Sequence, residues 1–306
     1  MRVFVTGASG WIGRGVVPEL TGAGHTVVGL ARSQESAAAL GAAGAEVRKG
    51  SLDDLETLRD AAASSDGVIH LAFKHDLAFT GDFAGAAEAD LRAIQTFGDA
   101  LAGSGKPFVI ASGVLGLAPG RVATERDGLV ADDGQGDLSG PERRRANAQL
   151  TLAMADRGIR SAVVRLPPTC HGDGDNGFMA AAIGFARDKG AAAYVGDGSN
   201  RWPAVHRDDA ARLFRLALES APAGSALHAI GDEGVPMREV AGVFAEHLDV
   251  PAVSVAPEQA GDYVGWLGLF WGLDSPASGR ITSELLGWHP TRPGLIADLR
   301  EGHYFD

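Results

Sequence analysis

Val5-Thr6-Gly7-Ala8-Ser9-Gly10-Trp11-Ile12-Gly13 decides the fold. The apolar run Val3–Thr6 reads as a short buried strand, and apolar side chains recur with helical spacing from Trp11 to Gly22. Strand, glycine turn and helix in that order form the setting in which three glycines at this spacing hold a dinucleotide. Gly7 permits the tight turn, Gly10 lets the backbone approach a pyrophosphate, and Gly13 lets helix and sheet pack closely. The helix N-terminus adds free N–H groups and the positive end of its dipole. Outside that setting the same triplet is only a flexible turn.

The rhythm continues downstream. Short β-branched runs at Thr26–Leu30, Ala45–Arg48, Gly67–Ala72, Pro107–Ser112 and Ser161–Leu166 alternate with helical patterns at Glu35–Gly41, Asp53–Ala63, Asp82–Ala102 and Pro141–Asp156. Val68-Ile69-His70-Leu71 is nearly all apolar, as a strand covered by helices on both faces must be. Strict alternation predicts an α/β, Rossmann-type doubly wound parallel sheet. Pro167-Pro168 breaks the pattern, and after a strand–helix unit at Val205–Glu219 the chain turns to short helices carrying Trp266, Phe270, Trp271 and Trp288. Residues 1–166, with about 203–230, are expected to form the nucleotide-binding domain. Residues 167–202 and 231–306 are expected to form a smaller mixed substrate lobe. The polar loop Leu117–Gly140, rich in glycine and aspartate, is expected to be mobile and near the site.

Composition narrows the function. The chain has 306 residues, 45% hydrophobic and 22% charged, ordinary for a globular protein. No stretch approaches the roughly 20 apolar residues that span a bilayer, and with an apolar strand beginning at Val3 no signal peptide is expected. A net charge of -12 argues against a nucleic-acid partner. The single cysteine, Cys170, excludes an intrachain disulfide and fits a reducing cytoplasm. With no paired base evident, it reads as a packing thiol rather than a nucleophile. No metal site is expected: the loop Asp173-Gly174-Asp175-Asn176-Gly177 lacks the acid that a calcium loop needs, since position 184 is glycine.

The end of the second strand chooses the cofactor. An acidic residue there would bind a ribose 2′-OH, whereas arginine accommodates a 2′-phosphate. Gly29-Leu30-Ala31-Arg32-Ser33 offers an arginine and no acid, which points to NADP(H).

With these motifs in place, the chain resembles the short-chain dehydrogenase/reductase superfamily, in its extended, epimerase/dehydratase-like branch. The likeness rests on Gly7, Gly10 and Gly13, on Val68-Ile69-His70-Leu71-Ala72, on Val109-Ile110-Ala111-Ser112-Gly113, and on Val164-Arg165-Leu166-Pro167-Pro168-Thr169. The runs Val195–Trp202 and Val205–Asp209, and the tail Glu284-Leu285-Leu286-Gly287-Trp288-His289-Pro290, extend it over nearly the whole length. The resemblance implies that Gly7, Ser9, Gly10, Trp11, Ile12 and Gly13 line the cofactor, with Arg32 and Ser33 near the 2′-phosphate. It places Ser51 and Leu52 by the adenine, Leu71, Ala72 and Phe73 by the ribose, and Pro167, Pro168 and Thr169 along the nicotinamide. Lys74 would be a surface or phosphate contact. A homodimer through sheet-flanking helices is also common in the superfamily.

One departure matters. The superfamily typically uses a serine, a tyrosine and a lysine four residues later, with a supporting asparagine. The only tyrosines here are Tyr194, Tyr263 and Tyr304, and positions 198 and 267 are Gly and Leu. Gly140 falls in the tyrosine place, Arg144 in the lysine place and Asp90 in that of the asparagine; Ser112 alone is kept. Arginine can hold a ribose but cannot usefully give up a proton. His75, after the fourth strand, and His171, after the sixth, are therefore the candidate acids, both expected to project from the cofactor edge. Together these point to an NADP(H)-dependent oxidoreductase that reduces a carbonyl or related polarised double bond of a small hydrophobic metabolite. The alternatives are an NAD(P)-dependent epimerase/dehydratase and a non-catalytic NADP(H)-binding redox sensor.

Overall fold

The computed structural model describes residues 1–129 and 140–305. Its first half alternates as the sequence predicts: β1 (Arg2–Thr6), α1 (Gly13–Gly22), β2 (Thr26–Ala31), α2 (Gln34–Ala42), β3 (Glu46–Lys49), α3 (Leu55–Ala63), β4 (Gly67–His70), α4 (His75–Phe79), α5 (Phe83–Leu101), β5 (Pro107–Gly113), α6 (Gly140–Ala153) and β6 (Arg160–Leu166). Next come β7 (Thr169–His171), α7 (Phe178–Lys189), β8 (Ala192–Val195), β9 (Arg201–His206), α8 (Arg207–Ser220), β10 (Ser225–His228), β11 (Asp232–Pro236), α9 (Met237–Leu248) and β12 (Ala252–Val255). The chain closes with α10 (Ala260–Val264), α11 (Gly268–Trp271), α12 (Arg280–Leu286) and α13 (Leu295–Arg300).

The main sheet runs β10-β6-β5-β4-β1-β2-β3, parallel throughout. On one face α1 and α8 bury Val16, Val17, Leu20, Leu213, Phe214 and Leu218. On the other, α3, α5 and α6 bury Leu58, Ile94, Phe97 and Ala148. Phe97 meets Phe4 and Phe108 edge-on at 6.1 and 5.6 Å, so truncating it to alanine would cost about 3–5 kcal/mol. The outer strand β3 is exposed along its length and carries Glu46, Arg48 and Lys49, charges that discourage a further strand from pairing.

The second half departs from expectation in instructive ways. The sheet gains a seventh strand, β10, beside β6. β9 leaves that sheet to join β7 and β11, while β8 pairs with β12. Around these small sheets Trp202, Trp271, Met237, Val240 and Phe244 make a separate core. Trp288 does not join it: the indole packs into the core beneath the main sheet and donates to the Asp209 carbonyl at 3.0 Å. Trp271 is likewise buried, edge-on to Trp202 at 5.2 Å and donating to the Ala193 carbonyl, so it fills a core rather than walling a pocket. Among the described residues no helix is long and apolar enough to cross a membrane.

Candidate cofactor and active site

β1 delivers the chain into a turn with Gly7 at φ +66°. A Cβ on Gly7 would sit 2.7 Å from the Ala72 nitrogen, and one on Gly13 only 2.2 Å from the Gly7 carbonyl oxygen. Both clashes are with backbone, so neither position can yield to a larger residue. Gly10 differs: its Cβ would meet only the Gly7 carbonyl oxygen, at 3.2 Å, and otherwise faces open space. The N–H groups of Ile12 and Gly13 find no backbone acceptor among the described residues. A loop with outward N–H groups and an uncovered Gly10 fits a pyrophosphate.

The loop is braced by β7 and the start of α8. Trp11 Nε1 donates to the Cys170 carbonyl at 2.7 Å, and the Arg207 guanidinium lies over the Trp11 ring at 4.5 Å. Gly172 and Gly174 follow β7, and the chain there meets the loop again at Trp11.

Behind the loop lies a buried polar chain that sequence reasoning missed. Ala72 N donates to Thr6 Oγ1 at 3.3 Å, and Thr6 Oγ1 lies 2.6 Å from His70 Nδ1. His70 Nε2 reaches Asp90 Oδ1 at 3.0 Å, and Asn147 Nδ2 donates to Asp90 Oδ2 at 2.8 Å. All four side chains are buried. Every partner is satisfied if Thr6 donates to Nδ1 and Nε2–H donates to the carboxylate. The chain joins β1, β4, α5 and α6. A histidine inside the otherwise apolar strand at Val68-Ile69-His70 was the available signal, because such a ring must find partners in the core.

At the open end of these strands Ser112 is 6% exposed, in register with Arg165 of β6. Nearby, the Arg144 guanidinium of α6 stacks 4.2 Å over the ring of Phe73, a contact worth about 0.5–2 kcal/mol. Burial lowers the Arg144 pKa, and the charge of Asp90 opposes that shift. Phe73 also lies edge-on to His75 at 5.2 Å and beside Phe83 at 5.5 Å. His75 opens α4 rather than a loop and stays open to solvent on one side. The surrounding protein lowers its pKa, mainly by desolvation, with Arg144 pushing the same way and Asp76 opposing.

A profile of the NAD dependent epimerase/dehydratase family matches residues 3–230. This chain belongs to that family. It is 44% identical to the uncharacterized protein C2A9.02 of Schizosaccharomyces pombe over 306 residues, all of both chains. It is also 27% identical to a 2-alkyl-3-oxoalkanoate reductase of Stenotrophomonas maltophilia, over 84% of this chain and 78% of that one. Among solved structures, the UDP-glucose 4-epimerase of Thermotoga maritima shares the fold with a TM-score of 0.76 at 19% identity, covering 100% of this chain and 98% of that one. The protein is thus an NAD(P)-dependent enzyme of the short-chain dehydrogenase/reductase superfamily.

The family frame orders the remaining candidates. Arg32 leaves β2 with its side chain 74% exposed, 3.5 Å from Asp76. Ser33 caps α2, its hydroxyl accepting from Ser36 N, which occupies the group a phosphate would want. Ser51 Oγ accepts from Asp53 N, Leu52 is buried in the sheet core, and Leu71 packs against that beneath α1. Lys74 is held by Asp53 at 2.7 Å and is not free for a phosphate. Past β6, Pro167 and Thr169 are buried, Pro168 partly so, and Thr169 Oγ1 has no protein partner although enclosed.

His171 is a correction. It is not a loop residue at the cofactor edge but a fully buried member of β7, its Nδ1 2.9 Å from Asp298 Oδ2. It faces His206 at 5.5 Å and lines a cavity of about 100 Å³ with His206, Asp232 and Arg292. The strand restarts directly after Pro168, which turns residue 171 inward. The tyrosines lie in β8, in α10 and at Tyr304, none of them on α6. Burial pushes the Cys170 thiol well up from its ordinary value, consistent with an inert thiol. Of the loop Leu117–Gly140, positions 130–139 lie outside the described residues. Residues up to 129 are pinned: Arg165 donates to the carbonyls of Asp127 and Gly128 at 2.6 and 3.2 Å.

Proposed function

We propose that the protein is an NADP(H)-dependent reductase of a carbonyl or related polarised double bond on a small, largely apolar metabolite. The observation that carries this reading is the combination of a complete glycine loop after β1 with Ser112 at the end of β5, one strand further across the same sheet than β4. No protein group hydrogen-bonds the Ser112 hydroxyl among the described residues. Arg32 at the end of β2, with no acid beside it, supports the phosphorylated cofactor. The 2-alkyl-3-oxoalkanoate reductase among the relatives is consistent with carbonyl chemistry.

The glycine loop, the backbone at Ala72 and Thr169 Oγ1 would hold the nicotinamide cofactor, which supplies hydride when bound. Ser112 Oγ–H donates to the substrate oxygen and steadies the negative charge that develops there. His75, or ordered water reached past it, delivers the proton. Arg144 keeps a fixed positive charge at the site and gives up no proton. A single free thiol supports a reducing compartment such as the cytoplasm.

Fluorescence titration with NADPH and NADH, followed by turnover of NADPH against ketones, aldehydes, enones and imines, tests the reading. Tight NADPH binding with turnover of one class is expected. NAD⁺ retained through purification would favour the epimerase/dehydratase chemistry of the family instead. NADPH binding without turnover of any class would favour a redox sensor.

A further inference from the structure

Many arginines of this chain are held by a carboxylate, and the part-buried Arg160 and the buried Arg165 instead donate to backbone carbonyls. Arg2 has Glu46, Arg157 has Asp99, Arg201 has Asp274, and Arg215 has both Glu19 and Glu219. Arg144 is the contrast: it is partly buried, and among the described residues it has no hydrogen bond or ion pair. The carboxylate whose field reaches it is that of Asp90. Both oxygens of Asp90 are already taken, one by His70 and one by Asn147. The fold has thus brought an acid toward Arg144 and committed it elsewhere.

A guanidinium withdrawn from water without a counter-charge is costly, and stacking on Phe73 offsets only part of that cost. The contact over the Phe73 ring uses none of the N–H donors, which have no hydrogen-bond partner among the described residues. That fork matches two coplanar oxygens. Phe73 and Phe83 lie together beside it and provide an apolar wall.

We propose that Arg144 binds a carboxylate of the substrate, so that the substrate is an oxo acid: an apolar body anchored at one end by Arg144, with its carbonyl toward Ser112. This inference rests on the reductase reading above. It narrows the substrate from a hydrophobic metabolite to an organic acid. It also replaces ribose positioning, which the family resemblance gives to this place in the sequence, with substrate recognition.

Calorimetric titration of 3-phenylpropionate and of its amide, 3-phenylpropionamide, tests it without requiring turnover. Each is titrated into wild type, Arg144→Gln and Arg144→Lys, with and without saturating NADP⁺, after thermal melts establish that the variants are folded. The acid should bind wild type about tenfold or more tighter than the amide. Arg144→Gln should erase that preference, and Arg144→Lys should retain part of it, since a point charge replaces the fork. NADP⁺ affinity should change by less than about threefold in either variant. Equal or absent binding of acid and amide overturns the proposal. So does a loss of NADP⁺ affinity of about tenfold in Arg144→Gln, which would place the residue on the cofactor. If wild type binds no NADP⁺ while still preferring the acid, the reductase reading fails and the anion site stands.

Discussion

Asp90 and Asn147 are hydrogen-bonded at 2.8 Å, and that bond stitches α5 to α6 one helical turn beyond Arg144. Because His70 takes the other oxygen, Asp90 connects the two helices to β4 and, through Thr6, to the start of the glycine loop. A fully satisfied network of this kind rigidifies the core, whereas a broken one is costly.

Asp90→Ala should therefore destabilise the protein by about 2–4 kcal/mol, since His70 and Asn147 would each lose a buried acceptor. Asp90→Asn should cost less, about 1–2 kcal/mol, because one of the two donors can still be met. Denaturant unfolding of the two variants measures the difference.

The glycines should separate folding from cofactor binding. Gly13→Ala drives a Cβ into backbone and should cost about 3 kcal/mol. Gly10→Ala should change stability by about 1 kcal/mol or less, because its Cβ meets a single atom, the Gly7 carbonyl oxygen at 3.2 Å. Yet it should weaken NADPH binding by about tenfold or more by blocking the pyrophosphate. Paired melts and NADPH titrations read both effects.

Cofactor preference should follow the charge near the end of β2. Arg32→Asp is expected to lower NADPH affinity by about tenfold or more while NADH affinity holds or improves. Asp76→Asn should act in the opposite direction, raising NADPH affinity modestly at low salt, because Asp76 competes for Arg32. Equal losses for both nucleotides in Arg32→Asp would reduce Arg32 to a structural role.

Ser112→Ala should lower kcat/KM by roughly tenfold to a thousandfold with NADPH binding nearly intact. If His75 is the acid, its protonated form is needed. Because its pKa is held below the ordinary 6.5, that contribution should fall away as pH rises through the acidic side of neutrality. His75→Gln would remove this pH dependence. A variant with full rate and an unchanged profile would leave ordered water as the donor.

Stability should depend on pH through His228. Its ring is enclosed by Arg165, Glu125, Asp127 and the Ser278 carbonyl, and burial first, then Arg165, lowers its pKa to about 4. The unfolded chain then binds more protons than the folded one between about pH 4 and 6.5. Stability contributed by the neutral ring is complete above pH 6.5 and is lost as pH falls toward 4, by up to about 3 kcal/mol. A His228→Gln variant should show a flatter stability profile across that window.

Much of the frame was legible because it depends on local periodicity. The five strands expected after the glycine loop appear within two residues of their expected ends, and the loop opens α1 as its spacing implied. What escaped depends on partners distant in the chain. His70 reads as one more strand residue until Asp90, 20 positions away, is seen to hold it. His171 reads as a loop histidine until Asp298, 127 positions on, is placed against it. Trp288 was grouped with the aromatic lobe by proximity in sequence, but the return of the tail beneath α8 sends it to the sheet. Ion-pair competition was equally invisible: Lys74 is an open cation in the sequence and a neutralised one beside Asp53.

The bracing of the glycine loop gives the two ends of the chain unequal value as attachment points. Tyr304 accepts from Gly172 N and donates to Asp175, fastening the last residues to the segment that touches Trp11. A tag, linker or solid support attached just beyond Tyr304 therefore pulls on a strut that ends at the glycine loop. Met1 is 41% exposed at the opposite edge of the strand that precedes the loop. Immobilisation for a sensor or a flow reactor belongs at the amino end.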